Sequence, residues 1–596
     1  MTKVARHLIT TADERTWKFD RPVLFLGEWC RLYDRKQVWG GMDGIVAEPY
    51  GLQAGQKKRD FAYIQALSSQ LLGEVTNQLN AFHNTHHSLR YWNIVLGHWL
   101  QRYVAITFNR YFTLEQCLKN YEISGTSVFD STDYHLATND SLDFVWASND
   151  MVWNHVLYTK ILKFLGYLKT EKEFATLHGK KCFKQESNSE NVLKISIKSL
   201  ILSVVSDILP KFSRRNDAFI ANSYLPLKEE IKLQLILGQS PQLWRSPILK
   251  TVAHAPEKHR RFRVDADNYQ GFEKFVRSQL GEMIPACYLE GYEQLMQQAK
   301  TLPWPAEPRF IFTSNNFDTD EIFKVWTGSK VEEGFPYLTG QHGNNYGTHI
   351  YDGNSDWPER KSSNHFVTWG WIDESKNCIP AFIFKTTLKK QQQYNQQGGL
   401  LLVETVLCHM VYPYDTYHEY KTYQEEQFRF VEALPKKIKE ELTVRLQNGW
   451  RSMNWSEDRR WKDRIPTVYL ETGKAPMKKL ISRSRLVVHT YDSTGILEGL
   501  ALNIPTLCFW NGGLDHVLPS AKPYYELLRA AGILADTPEQ AALTVARYWD
   551  NTDKWWKGEQ VQKARRLFCE KYARAERHPV RTMKRLLMTS MLRKNN

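Results

Sequence analysis

The sequence predicts an α/β protein of two Rossmann-like domains, and three observations carry that prediction. Residues 485–511, RLVVHTYDSTGILEGLALNIPTLCFWN, read as a buried strand (486–489), a polar turn (490–495), a helix (496–503) and a second short strand (505–510). This is a βαβ unit; such units build parallel sheets covered by helices, with ligands at the carboxyl ends of the strands. Strand-to-loop junctions of the same kind recur at PVLFLGEW (22–29) and at residues 337–347. The third observation is a break: TLPWPAEPRF (301–310) holds three prolines in six positions, and a residue before proline avoids helix. At 596 residues the chain exceeds what one hydrophobic core usually serves. It divides into an amino-terminal α/β domain with helical insertions (1–303), a carboxy-terminal α/β domain (304–550), and crossing helices with a basic amphipathic tail (551–596).

Composition narrows the function classes. Hydrophobic content of 42% and aromatic content of 13% exclude a mainly disordered chain. The eight cysteines are scattered without a C-x-x-C pair, so neither zinc nor thioredoxin-like spacing is present. The opening MTKVARHLITTADERTW lacks the apolar core of a secretory signal, and no run approaches the ~18 apolar residues of a membrane span. A reduced, cytoplasmic protein is the expectation. A net charge of +14 suits nucleic acid, an anionic membrane face or anionic sugar nucleotides. Without a helix-turn-helix, RRM or zinc-finger pattern, nucleic acid is set aside as a partner.

In chain order, the strand at 22–29 ends in Gly-Glu-Trp-Cys and makes Glu28 a candidate base, or else a surface or capping glutamate. Apolar spacing from 60 to about 120 is helical. His83, His86 and His87 in that stretch lack a downstream third ligand and read as polar packing. Arg90 is the candidate contact for an anionic acceptor group. Helical spacing recurs at 151–167, a Lys-rich connection lies at 171–191, and an apolar stretch at 195–209. After the proline break a strand (309–313) leads to Asp318, a second candidate base. Asp318-Thr319-Asp320, the nearest D-x-D, opens a helix and serves its dipole, so no metal or other cofactor is expected.

The loop Gly340-Gln341-His342-Gly343-Asn344-Asn345-Tyr346-Gly347 lets backbone approach a ligand, with His342 placed to bond a phosphate or assist proton transfer. Arg445 and His489 fall near strand ends, each either a ligand contact or structural. Ser493, Thr494 and Gly495 stand where a helix begins, and free N–H groups there favour an anion. Glu498, one turn on, faces a ribose or sugar; the alternative is a capping box of Ser493 or Thr494 with Glu498. The tail places Val580, Met583, Leu586, Leu587 and Met591 at helical spacing among cations, fitting either an anionic membrane surface or the body of the protein.

These segments carry a resemblance. The Ser493 turn is similar to the donor-binding half of GT-B glycosyltransferases. With LGEWC (26–30), RYWNIVLGHWL (90–100), GQHGNNYG (340–347) and TWGW (368–371), the chain resembles a bacterial transferase family of O-antigen and surface-polysaccharide loci. The QHG segment resembles the histidine-glycine loop of capsule and lipopolysaccharide transferases, including those using CMP-linked acidic sugars. The resemblance implies a GT-B-like fold, two Rossmann-like domains facing a central cleft. It also implies transfer from a nucleotide-sugar donor to a glycan or lipid-linked acceptor, peripheral to the inner membrane face. Gln341, Gly343, Tyr346, Arg445, His489, Ser493, Thr494, Gly495 and Glu498 would bind donor, Arg90 acceptor, and His342 with Glu28 or Asp318 would act in catalysis. A CDP-alcohol phosphotransferase on the same scaffold and a non-catalytic glycan-assembly scaffold are the competing readings.

Overall fold

The computed structural model describes residues 4–592 except 130–133, 168, 174–176, 178–182, 184–211, 245, 247–248, 250–259, 387–393 and 407–411. The expected apolar stretch at 195–209 lies outside the described residues, as does most of the Lys-rich connection.

Among the described residues the strands form three parallel sheets. The first holds β1 (Arg6–Ile9), β2 (Val23–Phe25), β3 (Gly44–Val46), β4 (Ile123–Phe129) and β5 (Thr170–Glu173) in the order β3-β2-β1-β4-β5. The second holds β6 (Phe219–Ala221), β7 (Ile311–Thr313), β8 (Tyr337–Gly340), β9 (His365–Thr368) and β10 (Cys378–Pro380), each beside its neighbour in sequence. The third holds β11 (Gly399–Val403), β12 (Leu442–Arg445), β13 (Tyr469–Glu471), β14 (Ser484–His489), β15 (Thr506–Phe509) and β16 (Leu534–Ala535). Its order is β13-β12-β11-β14-β15-β16. Strand order there reverses between β11 and β14, the topological switch point at which such sheets bind ligands. β14 is buried at all six positions, as a strand covered on both faces must be.

The α/β class holds, and the loops at the carboxyl ends of β8 and β14 meet, the Asn344 N–H donating to Thr494 Oγ1 at 3.1 Å. One boundary is corrected. The proline-rich connection does not open a sheet, because β6 pairs in parallel with β7 across it, Phe219 beside Ile311 and Ala221 beside Thr313. β7 to β10 therefore form a sheet with β6, separate from that of β11 to β16, where both sets were expected in one carboxy-terminal domain. A strand of three residues has too little periodicity to declare itself, and its partner lies some ninety residues downstream.

The helical stretch of the amino-terminal part is a pair, α1 (Gln56–His83) and α2 (Leu89–Asn120). Asn84, in the left-handed region at φ 52°, ends α1; the Ser88 side chain caps α2 by accepting from the Tyr91 N–H. Ile64, Leu67, Leu71, Val75 and Leu79 bury one face of α1 against Trp92, Leu96, Trp99 and Tyr103 of α2. The later helices that matter below are α3 (Leu227–Ile236), α4 (Glu321–Glu332), α5 (Thr416–Ala433), α6 (Thr494–Ala501) and α7 (Pro579–Leu592).

Of the two readings of the basic tail, packing on the body is the one the structure shows. Met583 and Leu587 of α7 are fully buried in the core that includes Leu233 and Leu237, and Val580 and Leu586 pack beside them. Lys584 Nζ donates to the Ile236 carbonyl at 2.7 Å. The apolar stripe already faces α3, so it is not available to a membrane. Among the described residues no helix is long and apolar enough to cross one.

Candidate active site

At the switch point of the third sheet β14 ends in His489, and the chain turns through Thr490, Tyr491 and Asp492 into α6. Ser493 is the N-cap residue in extended backbone, and no side chain caps the helix. The capping-box reading therefore does not hold: with Ser493 as N-cap the third helical residue is Ile496, and the Glu498 carboxylate lies 3.8 Å from Lys385 Nζ. Burial pushes the Glu498 carboxyl up, and Lys385 partly offsets this. The first turn of α6 thus presents N–H groups and the Thr494 hydroxyl where an anion is favoured. Gly495 is required by its neighbour, since a Cβ there would stand 2.6 Å from His489 Cε1. His489 itself is corrected from donor ligand to support. It is buried beneath the turn, burial holds its imidazole neutral with a pKa down to about 4, and Nδ1 lies 3.4 Å from Ser493 Oγ.

The loop after β8 meets this turn. The Asn344 N–H donates to Thr494 Oγ1 at 3.1 Å, and a Cβ on Gly343 would lie 3.5 Å from the same oxygen. Two segments 150 residues apart, singled out separately in the sequence, are in contact. Gln341 and Tyr346 are corrected: neither is free for a donor. Gln341 is buried, accepts from the Trp369 N–H and Trp371 Nε1 at 2.8 Å each, and donates to the Gly343 carbonyl at 2.8 Å. The Tyr346 hydroxyl donates to Glu359 Oε1 at 2.6 Å and sits 3.3 Å from His342 Nδ1. Both residues shape the loop from behind.

Around His342 the structure assembles a polar cluster from four places in the chain. Its ring lies beside Tyr224, Phe317 and Tyr346. Asp318, from the loop after β7, is held by Arg102 Nη2 at 2.6 Å, with His98 Nδ1 at 3.8 Å. His98 Nε2 in turn lies 3.3 Å from Glu359 Oε2, so one imidazole stands between two carboxylates. Burial lowers the His342 pKa, partly offset by Glu359 and Asp318. Burial pushes Asp318 up, but the charges of Arg102 and His98 outweigh it and hold the carboxyl below its usual range. Burial likewise opposes the ionised form of Glu359, and the hydrogen bonds of His98 and Tyr346 restore it. A neutral imidazole beside an ionised carboxylate can accept or relay a proton at neutral pH.

Three predicted residues stand elsewhere. Arg445, at the end of β12, donates to the Leu446 carbonyl (3.1 Å) and Asn448 Oδ1 (3.0 Å). Its Nε lies 3.8 Å from Glu471 Oε2, and its charge acts on Tyr491 of the turn. Glu28 lies in a turn after β2 of the first sheet, paired with Arg31 (2.8 Å) and Lys421 (2.7 Å). Burial pushes its carboxyl up and the Lys421 and Arg31 hydrogen bonds outweigh this, so Glu28 is held between two cations on the first sheet. Glu28 is corrected to a structural ion pair. Arg90 donates to the Ser362 carbonyl at 2.8 Å and Asn364 Oδ1 at 2.9 Å, which fixes α2 to that segment while leaving the side chain on a groove. His98, Arg102, Glu359 and Lys385 were missed. For His98 and Arg102 a signal existed: two polar residues one turn apart within the apolar run RYWNIVLGHWLQR.

Asp492, also missed, is the buried joint between the two loops. Its Oδ2 lies 2.9 Å from His349 Nε2, 3.0 Å from His516 Nε2 and 2.8 Å from the Tyr525 hydroxyl, and Asn344 Nδ2 donates to Oδ1 at 2.6 Å. Burial opposes its ionised form, yet the bonds from His349 and His516 hold its carboxyl far below the usual range. His349, Asp492 and His516 offer ligand atoms within 4.8 Å of one another and are the donor set a divalent transition metal could use. In this structure they serve as a hydrogen-bonded clamp.

Parallel sheets thus bring an anion-favouring turn at a switch point and a loop beside a histidine-carboxylate cluster into contact. The chain belongs to the LIC12162 family of transferases, whose family model matches residues 6–587. No curated protein matches it. Among solved structures it is similar to MurG of Acinetobacter baumannii, at 10% identity and a TM-score of 0.33, over 63% of this chain and 99% of that one. It is also similar to Anabaena HepE in complex with UDP and glucose, at 9% identity and a TM-score of 0.34, over 54% and 90%. A Thermobaculum terrenum O-GlcNAc transferase variant matches at 10% identity and a TM-score of 0.32, over 90% and 93%. Likenesses this remote decide nothing about the ligand.

Proposed function

We propose that the chain is a glycosyltransferase that moves a sugar from a nucleotide-sugar donor to a glycan or lipid-linked acceptor in surface-polysaccharide assembly. One observation carries the reading: the Asn344 N–H meets Thr494 Oγ1 at 3.1 Å, so the histidine-glycine loop and the helix start share one place at the ends of two sheets. The donor phosphates lie on the first turn of α6 and the Thr494 hydroxyl, with Arg445 bordering. Glu498 and Lys385 face the ribose or sugar. Charge on the departing phosphate is met by the helix start, Lys385 and a proton carried by His342, rather than by a metal ion. Asp318, ionised and set among His98, Arg102 and His342, takes the acceptor hydroxyl's proton. A CMP-linked acidic sugar is our preferred donor class, because the histidine-glycine loop pairs with a Ser-Thr turn.

A thermal-shift panel of CMP, CDP, UDP and GDP tests the reading. One nucleotide is expected to raise the melting temperature in proportion to the logarithm of its excess, since it binds the native state alone. Thr494→Val should diminish that shift, and His342→Ala should keep it while lowering transfer about 10²- to 10⁴-fold. No shift with any nucleotide would remove the proposal. A product gaining a phosphate-containing unit would favour alcohol-phosphate transfer instead.

A further inference from the structure

A second feature lies next to the His342 cluster. Two cavities, of about 370 and 110 Å³, run along α1 and α2 and share Gln65 and Gln101 in their walls. Together they form one groove whose far wall is the segment from Asp352 to Lys361. Its outer end carries Arg90 and Lys361; its inner end is lined by His98 and Arg102, the residues that hold Asp318. Gly97 lets the far wall approach α2 closely, since a Cβ there would stand 3.0 Å from Pro358 Cβ.

The lining decides the ligand class. Ser68 Oγ, Trp357 Nε1 and Arg102 Nη1 are buried on this groove without a hydrogen-bond partner, and Gln65, Gln101 and Asn93 add amides beside them. A buried polar group without a partner is costly, so the groove favours a ligand that supplies many hydroxyls. An acyl chain would cover the apolar part of the lining, Leu72, Leu100 and Ile64 among it, but leave these polar groups unpaired. Phe61 and Trp357, at the inner end with Tyr412, offer ring faces on which the C–H faces of a sugar pack. We propose that this groove binds a carbohydrate chain, and that it delivers the terminal hydroxyl of that chain to Asp318. The second half of the statement rests on the transfer reading given above; the first half stands on the groove alone. The cations Arg90 and Lys361 at the outer end give preference to a chain carrying an acidic group some residues back from its terminus.

Saturation-transfer NMR with cellobiose, chitobiose and a glucuronate-containing disaccharide on the full chain tests this, alongside nucleotide thermal shifts on the same samples. At least one disaccharide should bind wild type. Ser68→Trp, which fills the groove, should weaken it at least 10-fold while leaving the nucleotide shift unchanged. Gln65→Leu with Gln101→Leu, which keeps the volume and removes the amides, should weaken it similarly and guards against misfolding of the first variant. Binding that survives both variants, or no disaccharide binding in wild type, overturns the groove. Groove-dependent disaccharide binding without any nucleotide shift would instead sink sugar transfer and leave a carbohydrate-binding chain.

Discussion

At the scale of single residues, Glu404 shows what burial does to a carboxyl. It follows β11 at the switch point, is almost fully buried, and receives Trp461 Nε1 at 3.1 Å, while the Tyr420 hydroxyl binds Glu457 close by. Burial raises both carboxyls above the usual range, the Trp461 hydrogen bond partly offsetting this at Glu404, and the Glu404 charge raises Glu457 further. A folded-state pKa above the ordinary 4.5 means the native protein holds a proton that the unfolded chain releases. Stability from this group is therefore full below 4.5 and is lost as pH rises through the folded pKa, with a slope of up to about 1.4 kcal/mol per pH unit. Glu404→Gln, which keeps the neutral shape, should flatten the slope of denaturant-measured stability and exceed wild type at pH 8. Parallel curves for the two proteins would refute it. Sequence reading singled out Ser493, Thr494 and His342 because each belongs to a local pattern, a strand followed by a small polar turn. It could not locate Glu359 or Lys385, whose roles exist only because the fold brings distant loops together. It misjudged Gln341, Tyr346 and His489 for a related reason: a polar residue in a ligand loop can face the ligand or brace the loop, and one-dimensional spacing treats both alike.

At the scale of elements, periodicity was legible and partners were not. The apolar positions of α7 were all visible, yet a stripe of Met583 and Leu587 reads the same whether it meets lipid or α3. The fold puts it against α3. Leu587→Ala should therefore cost about 2–5 kcal/mol in a chemical melt, as buried large-to-small changes do. Neutralising Arg581 and Arg585 together should change stability by less than about 0.5 kcal/mol, the range of exposed substitutions. A Leu587→Ala protein as stable as wild type would mean the helix is not docked. Strand length set a second limit. The six buried positions of β14 announced a strand, whereas the three of β6 did not, and the second sheet was consequently assigned a start at the proline-rich connection.

For the whole molecule, the decisive relation is the joint between the second and third sheets. The Ile350 N–H donates to the His516 carbonyl at 2.8 Å and the Leu518 N–H to the Thr348 carbonyl at 2.7 Å, a short antiparallel bridge lying over Asp492. Four side chains converge on that one carboxylate. An ionised carboxylate only accepts, so both imidazoles present N–H groups, and removing the charge leaves buried donors unpaired at about 1–3 kcal/mol each. Because the folded pKa lies below the ordinary 3.8, this contribution is present above that value and fades only as pH falls toward the folded pKa. Asp492→Ala should keep the three sheets, read as unchanged far-UV dichroism, but free the loop after β8 from the start of α6. Amide exchange at Ile350 and Leu518 should then quicken at least tenfold, and the nucleotide thermal shift should shrink with it, since the ligand must now order the joint itself. Exchange unchanged at both amides would show that the sheets are held together by their packing alone, and would reduce Asp492 to a local cap.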